Sequence, residues 1–215
     1  MNPSGKRHKH PPLVRASWSD DITAPVHGLV LAGGHSKRMG VDKGALDYHG
    51  KPHREYTADQ VAKFSTKTFL SCRAEQQGEI ETMYETIPDT FVGLGPYGAI
   101  LSAFRYNPNV AWLVAACDLP MLDRATLEHL VSKRDPQRFA TAFRNNQDGL
   151  PEPLIAIWEP RSYAVLLNAL GQGRCCPRKV LIHENVKLLD PLNPDALINA
   201  NTPEDSERFQ KQKGN

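Results

Sequence analysis

The sequence lacks the features that define membrane, disulfide-rich and zinc-knuckle proteins. None of its stretches approaches the roughly 18 consecutive apolar residues that could cross a bilayer, and aromatic residues make up only 7% of the 215 positions. The four cysteines show no CxxC spacing, and two of them, Cys175 and Cys176, are adjacent, which suits neither a disulfide framework nor a zinc site. These absences predict a cytoplasmic protein with reduced thiols and no membrane contact.

The charge of the chain is nearly balanced. Lys and Arg number 26 and Asp and Glu number 24, and the surplus of +2 falls within residues 1–25. A protein that binds duplex nucleic acid needs a basic face, so the composition predicts no nucleic-acid partner. Residues 1–25 have no apolar core of a secretory signal and are interpreted as a flexible or loosely packed arm, with a single domain at residues 26–215.

Short apolar runs alternate with amphipathic stretches from Val26 onward, which is typical of an α/β fold with a mostly parallel sheet covered by helices. Helical spacing predicts helices over 55–64, 97–106, 124–133 and 161–170, and Asp123 and Thr202 are predicted N-caps. The runs predicted as strands are 28–32, 68–72, 112–117, 139–143, 154–158 and 187–189.

The segment with the most chemical information follows the first predicted strand and reads LAGGHSKRMGVDK over residues 31–43. Ligands of open α/β sheets bind beyond the carboxyl ends of strands, where Gly33 and Gly34 would let backbone N–H groups approach an anion. Arg38 and Lys43 add cationic groups that suit a triphosphate. The segment matches neither GxGxxG nor GxxxxGK[ST], so a plain glycine-rich turn with solvated charges is the alternative.

Asp118 ends the most apolar run of the chain, in the sequence ACDLP. A carboxylate at that strand end would be a hard oxygen ligand for Mg²⁺ beside the phosphate loop, because Mg²⁺ is usually held by one or two carboxylates and by phosphate oxygens. The alternative is that Asp118 only caps the turn that follows.

Two further segments are polar where a scaffold has no need of polar residues. Asp89 leads into a glycine-rich loop at residues 93–98, which would either donate backbone N–H groups to a ligand or serve as an ordinary turn. Asn199 and Asn201 share one face of an alternating segment, so their amide oxygens could complete a metal or substrate shell. An N-cap on the last predicted helix explains Asn201 equally well.

These motifs, in this order, resemble those of the molybdenum cofactor guanylyltransferases, a family of nucleotidyltransferases. LAGGHSKRMGVDK is similar to the family's LAGG…RMG…DK opening, GPYGAI to its GPL-type loop, ACDLP to its metal-binding segment and NANTPED to its closing motif. The likeness covers about residues 27–210. It implies a three-layer α/β/α fold with a mostly parallel, Rossmann-like nucleotidyltransferase sheet.

The resemblance implies transfer of GMP from Mg-GTP to molybdopterin with release of pyrophosphate in the cytoplasm. Mg²⁺ is the implied cofactor, and molybdoenzymes or their chaperones are further partners. By role, the implied residues are Arg38, Lys43 and Asp118 in catalysis, Leu31, Ala32, Gly33, Gly34, Lys43, Asp89 and Asp118 in nucleotide binding, Asp118 in metal binding, and Asn199 and Asn201 on the metal or pterin side.

Other functions fit the same motifs. A cytidylyltransferase for the same cofactor typically carries LAAG, whereas this chain has Gly33 and Gly34, and the glycine in place of alanine allows closer approach of a larger purine and favours GTP over CTP. A nucleotidyltransferase for another phosphorylated acceptor is a second alternative. The third is a non-catalytic carrier or chaperone that delivers the cofactor to a molybdoenzyme. In that case the arm and the Cys175–Cys176 pair would make the contact used for delivery.

The chain departs from the family pattern at two places. Residues 71–73 (SCR) stand where the family often has an amide residue that helps to hold the nucleotide. Residues 152–154 (EPL) stand where a small or polar residue is expected before the strand on the substrate side. The departures leave the acceptor less well specified than the nucleotide.

Overall fold

A central sheet of seven strands with five α-helices forms the part of the chain that the computed structural model describes, residues 23–33 and 50–200. The strands are β1 (Val26–Leu31), β2 (Thr68–Cys72), β3 (Glu85–Pro88), β4 (Ala111–Ala116), β5 (Ala140–Arg144), β6 (Pro151–Trp158) and β7 (Val186–Leu189). The helices are α1 (His53–Ala62), α2 (Pro96–Tyr106), α3 (Arg124–Ser132), α4 (Ser162–Gly171) and α5 (Pro177–His183).

The strand order is β3-β2-β1-β4-β6-β5-β7, and the sheet is mostly parallel. Of these seven strands β6 alone runs against its neighbours, pairing antiparallel with both β4 and β5. The chain first builds outward from β1 to β3 and then continues on the other side of β1 with β4. The sheet therefore has a topological switch point between β1 and β4, which is where open α/β sheets bind ligands, at the carboxyl ends of the strands.

Helices cover both faces of the sheet, which confirms the predicted three-layer α/β/α architecture. Helices α2, α4 and α5 pack on one face around Trp112, Trp158 and Phe104. Helices α1 and α3 pack on the other face around Leu113 and Ile157. All six residues of β4 are buried, as expected of a central strand whose two faces are both covered.

The structure corrects the sequence prediction at two elements. Strand β3 was not predicted, because its four residues, ETIP, carry too little apolar character to be recognised. Helix α5 was not predicted either, although it begins with a proline, Pro177, in its first turn. The predicted N-cap of α3 is confirmed, since the Asp123 side chain accepts a hydrogen bond from the Thr126 N–H at 2.8 Å.

The start of α2 packs tightly against the loop that precedes it. A Cβ atom at Gly98 would overlap the carbonyl oxygen of Phe91, so only glycine allows this approach. The Ser102 hydroxyl accepts a hydrogen bond from the Thr90 N–H at 2.8 Å. The glycine-rich loop at residues 93–98 is thus held against α2.

A buried ion pair joins the segment after α3 to the end of β6 and to the chain ahead of β1. Arg134 makes a bidentate contact with Glu159, with Nε–Oε1 and Nη2–Oε2 distances of 2.7 and 2.8 Å. Its remaining Nη1 donates to the Ala24 carbonyl oxygen at 2.9 Å. The two side chains are only 10% and 1% exposed.

Among the helices of residues 23–33 and 50–200, none combines the length and the apolar character of a membrane-spanning segment.

Candidate active site

The carboxyl ends of β1 and β4 lie side by side at the switch point. Leu31 pairs with Ala116 in the last register position of the two strands, and the Cys117 N–H donates to the Leu31 carbonyl oxygen at 3.4 Å. Gly33 and Asp118 each stand two residues beyond these partners, and both are half-buried. The structure therefore brings together two of the site residues that the sequence indicated separately.

Gly33 lies directly against the end of β2. An added Cβ would lie 3.2 Å from the backbone nitrogen of Arg73 and 3.4 Å from Cα of Cys72, and the Ala32 N–H donates to the Ser71 carbonyl oxygen at 3.1 Å. A side chain at this position would push the two strand ends apart by a few tenths of an ångström, so glycine favours their close packing. Gly34, Arg38 and Lys43 lie outside the described residues.

Asp89 joins the same edge from β3. Its N–H donates to the Cys72 carbonyl oxygen at 2.8 Å, and its Oδ1 accepts a hydrogen bond from the Ser71 hydroxyl at 2.9 Å. Burial raises the pKa of Asp89 to about 6, against the opposing effect of the Ser71 hydrogen bond. Asp89 is therefore a partly desolvated carboxylate, held in place, on the β3 side of Gly33.

The C-terminal segment reaches Asp118 from the other direction. The Ala200 N–H donates to the Asp118 carbonyl oxygen at 2.8 Å, which places the segment that contains Asn199 beside the end of β4. A 3-10 turn at Pro194–Leu197, capped by the Asn193 side chain, directs the chain into this position. Asn199 is half-buried, whereas Asn201 lies outside the described residues.

The donor set at this edge suits a divalent cation that is shared with a phosphate ligand. Within residues 23–33 and 50–200, no three His, Cys, Asp or Glu side chains cluster as an all-protein metal cage would require. Asp118 supplies one hard carboxylate at the strand end. Mg²⁺ is commonly held by one or two carboxylates with the remaining positions filled by phosphate oxygens and water, so the residues present fit such an ion.

A second cluster of polar residues at this edge contains Glu152, which the sequence showed only as a departure from the family pattern. Glu152 on β6 is 5% exposed, and its Oε2 contacts Nη2 of Arg178 on α5 at 2.6 Å. Nη1 of Arg178 contacts the Asp148 carboxylate at 3.0 Å, and Asn145 donates to Glu152 at 3.3 Å. The available signal was Glu152 itself, a charged residue in an otherwise apolar strand, but its partner could not be identified from sequence.

Comparison with known proteins agrees with this fold. Residues 28–191, most of the chain, match the family model described as the MobA-like NTP transferase domain. The chain belongs to this family. Its members are nucleotidyltransferases, so the chain is an enzyme of nucleotidyl transfer, and the predicted fold class and family resemblance are confirmed.

Three relatives illustrate the extent of the similarity. A molybdenum cofactor biosynthesis bifunctional protein from Synechocystis is 36% identical over 87% of this chain, which spans about half (54%) of that protein's length. The molybdenum cofactor guanylyltransferase of Pseudomonas putida strain KT2440 is 30% identical over 86% of this chain and 97% of its own length. The crystal structure of molybdopterin-guanine dinucleotide biosynthesis protein A from Archaeoglobus fulgidus superimposes with a TM-score of 0.72 at 26% identity, covering 87% of this chain and 98% of that one.

Proposed function

We propose that this MobA-like NTP transferase is a molybdenum cofactor guanylyltransferase, which transfers GMP from Mg-GTP to molybdopterin and releases pyrophosphate. The observation that carries the proposal is the position of Gly33, Asp89 and Asp118 at the carboxyl ends of β1, β3 and β4, on the edge of the sheet that contains the switch point. Nucleotide ligands of open α/β sheets bind at this place. The names of the Synechocystis, Pseudomonas and Archaeoglobus relatives support molybdopterin as the acceptor.

In the proposed reaction, a phosphate oxygen of molybdopterin attacks the α-phosphorus of GTP. A new phosphorus–oxygen bond forms, and the bond from the α-phosphorus to the oxygen that bridges to the β-phosphate breaks, so that pyrophosphate leaves with that electron pair. No covalent enzyme intermediate is needed. The protein's share is alignment of the two phosphates and stabilisation of their negative charge.

The nucleotide is proposed to bind along the ends of β1 to β3. Backbone groups of residues 31–34 would meet the phosphates, with Arg38 and Lys43 adding positive charge, as the family motif implies. The Asp89 carboxylate would accept hydrogen bonds from the N1–H and N2–H groups of guanine, two adjacent donors that cytosine does not offer. This supports GTP rather than CTP as the donor.

Asp118 is proposed to hold the Mg²⁺, with Asn199 and Asn201 on the metal or pterin side. The ion, when bound, would supply positive charge for the transferring phosphoryl group and for the pyrophosphate. The hydrogen bond between Ala200 and Asp118 supports a shared role for the two segments, since it ties the chain beside Asn199 to the end of β4.

The cytoplasm is the proposed setting. None of the four cysteines, all of which lie in the described ranges, forms a disulfide, as is usual in a reducing compartment. The product would pass to molybdoenzymes or their chaperones.

The direct test is a pyrophosphate-release assay with the purified protein, molybdopterin and Mg²⁺, and with GTP or CTP as the donor. We expect release with GTP and at least about tenfold less with CTP, because one good bidentate contact to a base gives about 1–3 kcal/mol of discrimination. Turnover with CTP alone would contradict the guanine assignment. GTP turnover that needs a different phosphorylated acceptor would contradict molybdopterin.

Asp89 gives a prediction that depends on pH. Because its pKa in the folded protein is about 6, we expect GTP affinity to weaken as the pH falls below about 6, where the protonated carboxyl no longer accepts both hydrogen bonds. Asp89→Asn should reduce the preference for GTP over CTP on the order of tenfold at pH 7.5 and should remove the pH dependence near 6. Isothermal titration with each nucleotide from pH 5 to 8 measures both effects.

The same substitution should stabilise the protein at neutral pH. The folded-state pKa lies above the ordinary value of 3.8, so the folded state binds the proton more tightly and stability falls as the pH rises from about 4 to 6. Asp89→Asn removes this cost, and its melting temperature at pH 7.5 should exceed that of the wild type. Glu85→Gln, at the exposed opposite end of β3, is the matched control and should change neither property. An Asp89→Asn protein with unchanged base preference would exclude Asp89 from the guanine site.

A further inference from the structure

The two sides of Asp118 offer different surfaces to the two substrates of the proposed reaction. Gly33 and Asp89 lie on the β1–β3 side, which the proposed nucleotide site occupies. The phosphorylated acceptor must therefore reach the α-phosphate from the side that β6 and β5 form. This division rests on the proposed function.

The turn at residues 145–150 lies at the same edge of the sheet as Asp118. Strand β6 runs antiparallel to β4 and to β5, so the turn that joins β5 to β6 comes at the carboxyl ends of β4 and β5. Ala115 pairs with Ile155 at the end of the β4–β6 ladder, and Glu152 lies three residues earlier on β6, toward the same edge of the sheet. The start of β6 is thus the strand segment nearest to the end of β4 on the acceptor side.

The turn is closed by its own hydrogen bonds. The Asn145 N–H donates to the Leu150 carbonyl oxygen, and the Gly149 N–H donates to the Asn145 carbonyl oxygen, each at 2.8 Å. Asp148 accepts a hydrogen bond from the Leu150 N–H at 3.0 Å. These bonds shape the turn, but they do not fix its position relative to the helices.

Arg178 supplies that connection. Its two terminal nitrogens contact Glu152 at the start of β6 and Asp148 in the turn, so one guanidinium ties α5 to both the turn and the strand that follows it. A buried carboxylate needs a partner of this kind, since burying an unpaired charge is costly. The rigid fork of arginine contacts both carboxylates at once, which the single ammonium of lysine does less well.

We propose that Arg178 is a positioning residue for the acceptor. By holding the turn and the start of β6 against α5, it fixes the wall of the site on the acceptor side, so that the acceptor phosphate binds in line with the α-phosphate of GTP. Arg178 itself does not take part in the chemistry. Its loss should weaken productive binding of the acceptor and leave nucleotide binding unchanged.

The test compares Arg178→Met with Arg138→Met in steady-state assays that vary GTP and molybdopterin separately. Arg138 also contacts two partners, Asp135 and Asn185, but at the amino edge of the sheet, away from the site. We expect Arg178→Met to raise the KM for molybdopterin on the order of tenfold, the lower end of the range for loss of a supporting contact, with the KM for GTP within about twofold of wild type. Arg138→Met should change neither constant.

Two milder variants keep the test decisive if Arg178→Met folds poorly. Glu152→Gln retains a hydrogen-bond acceptor for Arg178, and Arg178→Lys retains the charge, so both should fold and should give intermediate values of the KM for molybdopterin. An equal rise in both KM values, or an unchanged KM for molybdopterin in all three variants, would overturn the inference. A wild-type protein that releases no pyrophosphate with molybdopterin would overturn the proposed function and the acceptor assignment with it.

Discussion

Replacing Asp118 with asparagine is expected to slow pyrophosphate release on the order of 10²- to 10³-fold, the usual range for removing one electrostatic contact in a transition state. Asp118 is half-buried where β4 ends, next to the end of β1. Asparagine keeps the size and one oxygen of the side chain but removes the charge, so the affinity for Mg²⁺ should fall and the Mg²⁺ concentration at half-maximal rate should rise.

The measurement is kcat with saturating GTP and molybdopterin across a Mg²⁺ titration, with thermal melting to confirm the fold. Asp195→Asn is the control, because Asp195 is an exposed carboxylate in the 3-10 turn that leads to Asn199, and its loss should leave the rate unchanged. If Asp118→Asn turns over at the wild-type rate with the wild-type Mg²⁺ requirement, Asp118 does not hold the metal. If neither the Asp118→Asn nor the Asp195→Asn protein releases pyrophosphate, yet both still deliver cofactor to molybdoenzymes, the result would instead favour a non-catalytic carrier.

The second large effect concerns stability and comes from the buried pair of Arg134 and Glu159. Arg134→Met should lower the free energy of unfolding by about 3–5 kcal/mol, because it leaves the buried Glu159 carboxylate without its bidentate partner. The substitution also removes the contact to the Ala24 carbonyl oxygen that fixes the chain ahead of β1. Urea denaturation, monitored by circular dichroism, measures the change as a shift in midpoint at constant slope.

Two control variants distinguish the loss of the buried Arg134–Glu159 ion pair from the loss of an arginine charge alone. Arg138→Met breaks an ion pair whose arginine is 44% exposed, and it should cost less than about 1 kcal/mol. The double variant Arg134→Met/Glu159→Leu removes both charges and should recover most of the stability that Arg134→Met loses. A double variant as unstable as Arg134→Met would assign the loss to packing rather than to an unpaired carboxylate.

Local pattern was sufficient to predict most of the sheet. Strand β2 was predicted at the residues where it occurs, and the buried β4 was recognised because both of its faces are apolar. Strand β3 and helix α5 were missed because one is short and the other begins in a stretch dominated by charge. Their formation depends on pairing with β2 and packing against β6, which a local pattern does not contain.

The site was predicted unevenly for a similar reason. Gly33 and Asp118 became candidates because each ends an apolar run, and strand ends are where α/β proteins bind ligands. Asp89 had no such local signal beyond its place ahead of a glycine-rich loop, and its contact with Ser71 follows from the pairing of β2 with β3. The contact of Glu152 with Arg178 joins residues that only the folded α5 brings together.

The pairing of β1 with β4 also bears on how the protein acquires its activity. These two central strands are far apart in sequence, and β2, β3 and three connecting segments lie between them. Such non-local pairs form only after the chain has closed a long loop, which makes them slow to assemble. Gly33 and Asp118 therefore meet only when the middle of the sheet closes, and the recovery of enzyme activity during refolding reports on folding of the whole domain rather than of one local unit.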